Sequence, residues 1–184
     1  MKQFHPPIQL ETARLILRPW KASDWEPFAQ LNADPDVMRH FPAPLSKIES
    51  DTLAERIQSF ISKDGWGFWA VELKQNQQFI GFTGLHHQPE QFDFSPCTEI
   101  GWRYAKQHWH QGYATEAAQA CLDFAFQQLD LNEVVAFTAT TNTPSEKVMQ
   151  RIGMHYVKNF IHPKVDSEHP LAEHLLYSIE RPTE

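Results

Sequence analysis

The sequence predicts an α/β protein of the α+β kind, with one mixed, mostly antiparallel sheet and helices on both faces. Three observations carry this. Strand-like segments in the first half are joined by short polar turns, as antiparallel strands are. From residue 97 to 140 the order becomes strand, helix, strand, the pattern of a parallel pair with a crossover helix. Joining these halves, Thr98–Ala125 (TEIGWRYAKQHWHQGYATEAAQACLDFA) runs from a strand through a turn containing Gly112 into an amphipathic helix.

Each element has its own warrant. Residues 8–20 place Ile8, Leu10, Leu15, Ile16, Leu17 and Trp20 in an opening strand that slips its period-2 order near Thr12–Ala13. Ser23 is placed to cap a helix whose apolar members are Trp25, Phe28, Ala29 and Leu31. Residues 32–44, with Pro35, Pro42 and Pro44, form a connector with one helical turn near Val37–Met38. A second helix runs from Lys47 to Ser62 with Ile48, Leu53, Ile57, Phe60 and Ile61 as its apolar members. Gly65–Leu73 and Phe79–His86 make a hairpin across the turn Lys74–Gln78, and 89–96 is a loop. A strand over 97–105 leads to the Gly112 helix, which puts Ala114, Ala117, Ala118, Cys121, Leu122, Ala125, Phe126 and Leu129 on one face. Val134–Thr140 has no charged residue and reads as a buried strand. Asn142 opens a helix with Pro144 in its first turn, and Gly153 ends it. His155–Ile161 and Leu175–Ile179 close the sheet. No repeat, linker or low-complexity segment interrupts the chain, so a single domain over 1–184 is expected.

Composition excludes several classes. A net charge of −7 with no Lys/Arg block argues against nucleic acid as a partner. Cys97 and Cys121 form neither a CxxC pair nor a disulfide framework. The first residues lack a signal-peptide core and no apolar run reaches membrane-span length, so neither export nor a membrane is expected and a cytoplasmic location is the simplest expectation. His162, His169 and His174 match no metal-ligand spacing, so no metal is expected. A glycine–lysine phosphate loop and a GxGxxG element are also missing.

A strand that enters a glycine turn at a helix start is a phosphate cradle. The first N–H groups of a helix have no partner within it, and its dipole favours an anion there. The residues around this cradle resemble the GNAT N-acetyltransferases. Glu99, Ile100, Gly101 and Trp102, then Trp109 through Ala117, are similar to that family's motif A. Asn142, Thr143, Pro144 and Ser145, followed by Met149 to Met154, resemble its later Asn-x-x-Ser segment. With the opening LETARLILRPW, the likeness points to the branch of the ribosomal-protein N-terminal acetyltransferases, the RimJ/RimL type, and covers nearly the whole chain.

The resemblance implies a GNAT fold with a splayed parallel strand pair, acetyl-CoA as cosubstrate and a primary amine as acceptor, either a small molecule or a protein N-terminus. It implies direct attack in a ternary complex, on a monomer or homodimer. An acyl-CoA-binding module without transfer is the alternative on the same fold. The implied cofactor residues are Trp102, Arg103 and Tyr104 on one side of the splay, His110, Gln111, Gly112, Tyr113, Ala114 and Thr115 at the pyrophosphate, and Asn142 and Ser145 near the thioester. His110 is a departure, since relatives usually carry glycine there; a positive φ at that position would cost a histidine something. Ser145 is the candidate proton donor to the thiolate, with helix capping as its structural alternative and that of Asn142. Glu99 is the first candidate base, acting directly or through water, and His86 and His87 are the second. Trp66, Trp69, His86, His87 and Glu99 are candidates for the acceptor pocket, although aromatics in a strand more often belong to the core. An α-amine, with a pKa near 8, needs less help from a base than a lysine near 10.4, which mildly favours N-terminal or amino-acid-like acceptors.

Overall fold

The computed structural model describes residues 1–182; the last two positions of the domain expected over 1–184 lie outside the described residues. Eight strands form one sheet: β1 (Leu10–Glu11), β2 (Leu15–Arg18), β3 (Phe68–Leu73), β4 (Phe79–Gln88), β5 (Cys97–Tyr104), β6 (Glu133–Ala139), β7 (His155–Ile161) and β8 (Glu173–Glu180). Four helices accompany them: α1 (Trp25–Ala33), α2 (Lys47–Asp64), α3 (Tyr113–Gln127) and α4 (Thr143–Arg151). The spatial order is β1-β2-β3-β4-β5-β6-β8-β7. All neighbours are antiparallel except β5 and β6, which are parallel and in register only at Glu99 and Val135. Beyond that point the two strands part, and their C-terminal halves face each other across an open wedge.

The slip expected at Thr12–Ala13 is the turn between β1 and β2, closed by Thr12 N–H to Leu15 O at 3.0 Å. The helical turn expected near Met38 is present as a bond from Met38 N–H to Asp34 O. Two end assignments change. Ser23 does not cap α1: it lies inside a 3-10 turn, Ala22–Asp24, because Asp24 turns its carboxylate back to Lys21 N–H and Arg18. Gly65 is not the first strand residue but the left-handed cap of α2 at φ +79, a conformation glycine enters without a Cβ penalty. The sequence also carried an unremarked capping box at the other end of that helix, where Ser46 and Glu49 exchange bonds.

Strand alternation divides the core into two layers. Trp69, Thr83 and Tyr104 face α3, with the Trp69 and Phe124 rings 5.4 Å apart. Ala70, Phe82, Glu99 and Arg103 face the α1–α2 side, where Phe28 meets Phe82 at 5.9 Å. Helices therefore cover both faces, and fully buried Ala117, Ala118, Cys121 and Ala125 let α3 lie close on the sheet. At the β2–β3 end a buried ion cluster ties the layers. Arg18 donates Nε to Glu72 (2.6 Å) and both Nη atoms to Asp24 (2.7 and 2.9 Å), and Lys21 adds a bond to Glu72 at 3.1 Å.

Candidate active site

The wedge opens at the carboxyl ends of β5 and β6, where the parallel pair of an α/β unit holds its ligands. On the β5 side the chain turns through His110, Gln111 and Gly112 into α3. Gly112 lies at φ +81 and His110 at φ +58. The expected cost at His110 is thus present, since a side chain in the left-handed region costs roughly 1–2 kcal/mol. What it yields is a concave backbone. Among the described residues the N–H groups from His110 through Thr115 have no hydrogen-bond partner; the first bond of the helix start is Glu116 N–H to Gly112 O at 3.0 Å.

Two residues that the sequence reading passed over hold this turn. Glu116 accepts Thr12 Oγ1 (2.6 Å), Arg14 N–H (2.9 Å) and Arg14 Nε (2.6 Å), while Arg14 Nη1 donates to the Gln111 carbonyl at 2.9 Å. Arg14 also stacks over Tyr113 at 4.5 Å, and its Nη2 would lie 3.4 Å from a Cβ placed on Gly112. A cation therefore stands beside the free N–H groups. An acidic residue in the first helical turn facing a basic residue in the opening strand was the available signal, but nothing local says that the two meet.

On the β6 side, Asn142 caps α4. Its Oδ1 accepts Ser145 N–H (3.4 Å) and its Nδ2 donates to Thr138 Oγ1 (2.8 Å). The carboxamide is thus engaged at both ends and serves to fix Ser145 against the end of β6. Ser145 is half-buried, and its hydroxyl has no partner among the described residues.

Glu99 sits at the throat of the wedge, half-buried, accepting one bond from Gln88 Nε2 at 3.1 Å. Loss of hydration pushes its carboxyl up to about 7, against smaller opposing effects from Gln88 and the Lys164 charge. His86 is its cross-strand neighbour and shares its face, with its ring 4.6 Å from Phe60. Burial and the Arg56 charge bring its pKa to about 4, so it is neutral at pH 7. His87 points to the opposite face by strand alternation and does not join Glu99.

Other expectations also need correcting. Trp66 and Trp69 are 3% and 0% exposed, and their indole N–H groups are tied to Lys2 O (3.0 Å) and Ile8 O (2.8 Å). They are core, not acceptor pocket. The Tyr104 hydroxyl is buried against Thr83 Oγ1 at 2.5 Å, and the Arg103 side chain enters the α1–α2 layer, so these two face the wedge through their backbone alone. In place of the tryptophans, the wall near β6 is built by Phe92, Phe94, Phe137, Phe160, His162 and His174, with ring separations from 4.8 Å upward. Phe137 and His174 share a sheet face through the β6–β8 pairing, a signal legible only once the strand order is known. The connector between α1 and α2 spans the open end: Lys106 pairs with Asp36, and His40 Nδ1 meets Thr141 Oγ1 at 3.2 Å.

No group of three or more His, Cys, Asp or Glu side chains among the described residues could hold a metal, and no helix of the structure is long and apolar enough to cross a membrane.

Comparison with known proteins agrees with this geometry. Residues 14–155 match the model of the acetyltransferase (GNAT) domain. The chain is 34% identical over 151 residues to the Bacillus subtilis protein YkkB, covering 82% of this chain and 87% of that one. It is 33% identical over 182 residues to the FsC-acetyl coenzyme A-N(2)-transacetylase of Aspergillus fumigatus, covering 94% of this chain and 76% of the relative. Among solved structures, a GNAT-family acetyltransferase from Bacillus anthracis superimposes with a TM-score of 0.78 at 26% identity, over 94% and 98% of the two chains. RimL, the ribosomal L7/L12 α-N-protein acetyltransferase, shares the fold with a TM-score of 0.74 at 14% identity, over 94% and 98% of the chains.

Proposed function

The chain belongs to the GNAT acetyltransferases, and from that premise we propose that it moves an acetyl group from acetyl-CoA to a primary amine by direct attack in a ternary complex. The observation that carries this is the row of unpartnered N–H groups from His110 to Thr115 beside an open strand edge. These residues fit an acyl-CoA. The free N–H groups and the Arg14 charge suit its pyrophosphate. The unpaired edges of β5 and β6 suit its amide-bearing arm, which can pair there as an added strand does. The name of the Aspergillus relative, an acetyl coenzyme A N-transacetylase, supports the same donor. When bound, the cosubstrate supplies an activated acetyl thioester.

The chain's own residues then have definite tasks. Glu99, with a pKa of about 7, is half-ionised at neutral pH and takes a proton from the acceptor ammonium, directly or through one water. The free hydroxyl of Ser145 holds a proton for the departing sulfur. A backbone N–H of Phe137 or Thr138, on the open edge of β6, polarises the acetyl carbonyl. Gly112 and the small Ala114 keep the turn low enough for the phosphates to reach the backbone.

Calorimetric titration with acetyl-CoA tests the donor site. Wild type is expected to bind, and Gly112→Trp to lose roughly tenfold or more in affinity, since an indole on this turn keeps the phosphates from the backbone N–H groups. Unchanged affinity in the variant would place the pyrophosphate elsewhere. Release of CoA thiol on addition of an amine panel separates transfer from mere binding.

A further inference from the structure

One half-buried charge is left over by this scheme. Arg103, on the same face of β5 as Glu99, has a guanidinium in the α1–α2 layer with a single hydrogen bond, Nη1 to Asn32 Oδ1 at 2.6 Å. Its Nε is buried with no partner, and among the described residues no carboxylate pairs with it. Burial lowers its pKa to about 10, with no opposing effect from any neighbouring charge. Its Cζ lies over the Phe41 and Phe82 rings, 4.3 and 5.5 Å from their centroids. Among the described residues its Nη2 has no hydrogen-bond partner, and Nη1 has only Asn32.

Arg103 lines a groove of about 530 Å³ between the α1–α2 connector and α2, walled by Met38, Phe41, Leu45 and Leu53. Arg56 stands on the same groove and makes no ion pair among the described residues. Glu49 is also on its wall, but its Oε2 already accepts the Ser46 N–H (2.8 Å) and hydroxyl (2.7 Å). A largely apolar groove with a half-buried guanidinium, a second guanidinium at its wall and a single carboxylate that pairs with neither suits an oxyanion from outside. The cofactor phosphates are not that anion, because their cradle starts α3, which covers the other face of the sheet.

We propose that this groove is the acceptor site's specificity element and that the Arg103 guanidinium binds a carboxylate of the acceptor, which makes the acceptor an amine that also carries a carboxylate. This deepens the acetyl-transfer reading and rests on it for the amine alone. The carboxylate end stands on the Arg103 geometry. Glu99 and Arg103 are four strand residues apart, roughly 13 Å between Cα atoms at ~3.3 Å per residue. A span of that order suits an acceptor of about dipeptide size. A polyamine or aminoglycoside would bring only cations to two guanidiniums.

Dipeptides and their C-terminal amides test this, because the α-amine has nearly the same basicity in both members of a pair. Expected is a preference in kcat/KM for the free acid of roughly tenfold to a hundredfold, the range of a hydrogen-bonded ion pair. Arg103→Met should abolish the preference and Arg103→Lys keep part of it, since lysine retains the charge but not the planar fork. Calorimetry with the N-acetylated dipeptide acids and amides gives the same comparison without turnover. A wild-type protein that favours amides, treats both alike or binds neither at millimolar concentration overturns the proposal, as does an undiminished preference in Arg103→Met. Acetyl-CoA binding by wild type is measured alongside. Its failure would sink the transfer reading while the acid-against-amide difference still decides the role of Arg103.

Discussion

Arg18 and Arg103 lie on one row of the sheet, Arg18–Ala70–Phe82–Arg103, on the same face and three strands apart. Arg18 is buried and Arg103 half-buried, and their surroundings differ sharply. Arg18, 6% exposed, has its fork filled by Asp24 and Glu72, themselves 1% and 5% exposed. Although burial works against its charge, the bonds to those carboxylates leave its pKa raised, while Glu72, also desolvated, is held below the usual carboxylate range by Arg18 and Lys21. Arg103 has one neutral amide. Glu99 repeats the contrast for acids, with Gln88 as its single hydrogen-bond donor and a pKa pushed up to about 7. A packed interior does not leave charges unpaired without reason. Where the β2–β3 cluster pairs its charges, the wedge leaves the Glu99 acid without a cation and the α1–α2 groove leaves Arg103 without a carboxylate.

Substitutions can break this contrast. The largest effect is expected at the closed cluster: Arg18→Met should cost about 3–5 kcal/mol in urea denaturation, because it leaves the buried Asp24 without its cation, and Glu72→Ala somewhat less, because Arg18 keeps Asp24. Arg103→Met removes a charge that has no carboxylate to strand; the bond to Asn32 and the contacts with the Phe41 and Phe82 rings are lost, so its stability should stay within about 1–2 kcal/mol of wild type. Equal losses at the two arginines would mean that Arg103 is structural.

Next in size, Glu99→Gln should lower turnover by about a hundredfold, the lower end of general-base contributions. Wild-type kcat/KM should rise as Glu99 ionises near pH 7, and the variant should lose that limb; a limb that persists would move the base elsewhere.

The same substitution should raise stability at pH 8 by about 1–3 kcal/mol and leave it unchanged near pH 4, given 1.36 kcal/mol per pKa unit. The sign follows from the direction of the shift. With a folded pKa above its ordinary 4.5, Glu99 binds its proton more tightly in the folded state, so its contribution is full below about 4.5 and is lost as pH rises to about 7. Thermal melts at the two pH values measure it, and a gain at pH 4 alone would reverse the assignment.

Smallest is Gln88→Met. Removing the donor that favours the carboxylate should move the kinetic pKa upward by about half to one unit, within the range of a single hydrogen bond to a carboxylate. A downward shift would mean that Gln88 stabilises the protonated form.

Much of the molecule was legible in the chain. Period-2 and period-3.6 patterning placed the strands and helices because those periods are local properties of the backbone. Gly112 and the small residues after it marked the cradle for the same local reason, and the caps at Asn142 and Gly153 were stated in residue types. Errors arose where a side chain's fate depends on a distant partner. Ser23 lost its cap because Asp24 was drawn to Arg18, and the tryptophans vanished into the core because the N-terminal segment supplied carbonyls for their N–H groups.

The sequence alone therefore determined the fold class, the family likeness and the glycine turn that opens α3, since each follows from short-range order. Only the tertiary structure decided which charges are answered. That Arg14 and Glu116 brace the turn, that Glu99 stands dehydrated at the throat and that Arg103 enters an apolar groove without a carboxylate all depend on strand order and register. Burial and pairing set the energy of a charge, and both are properties of neighbours that the chain brings together only when it folds.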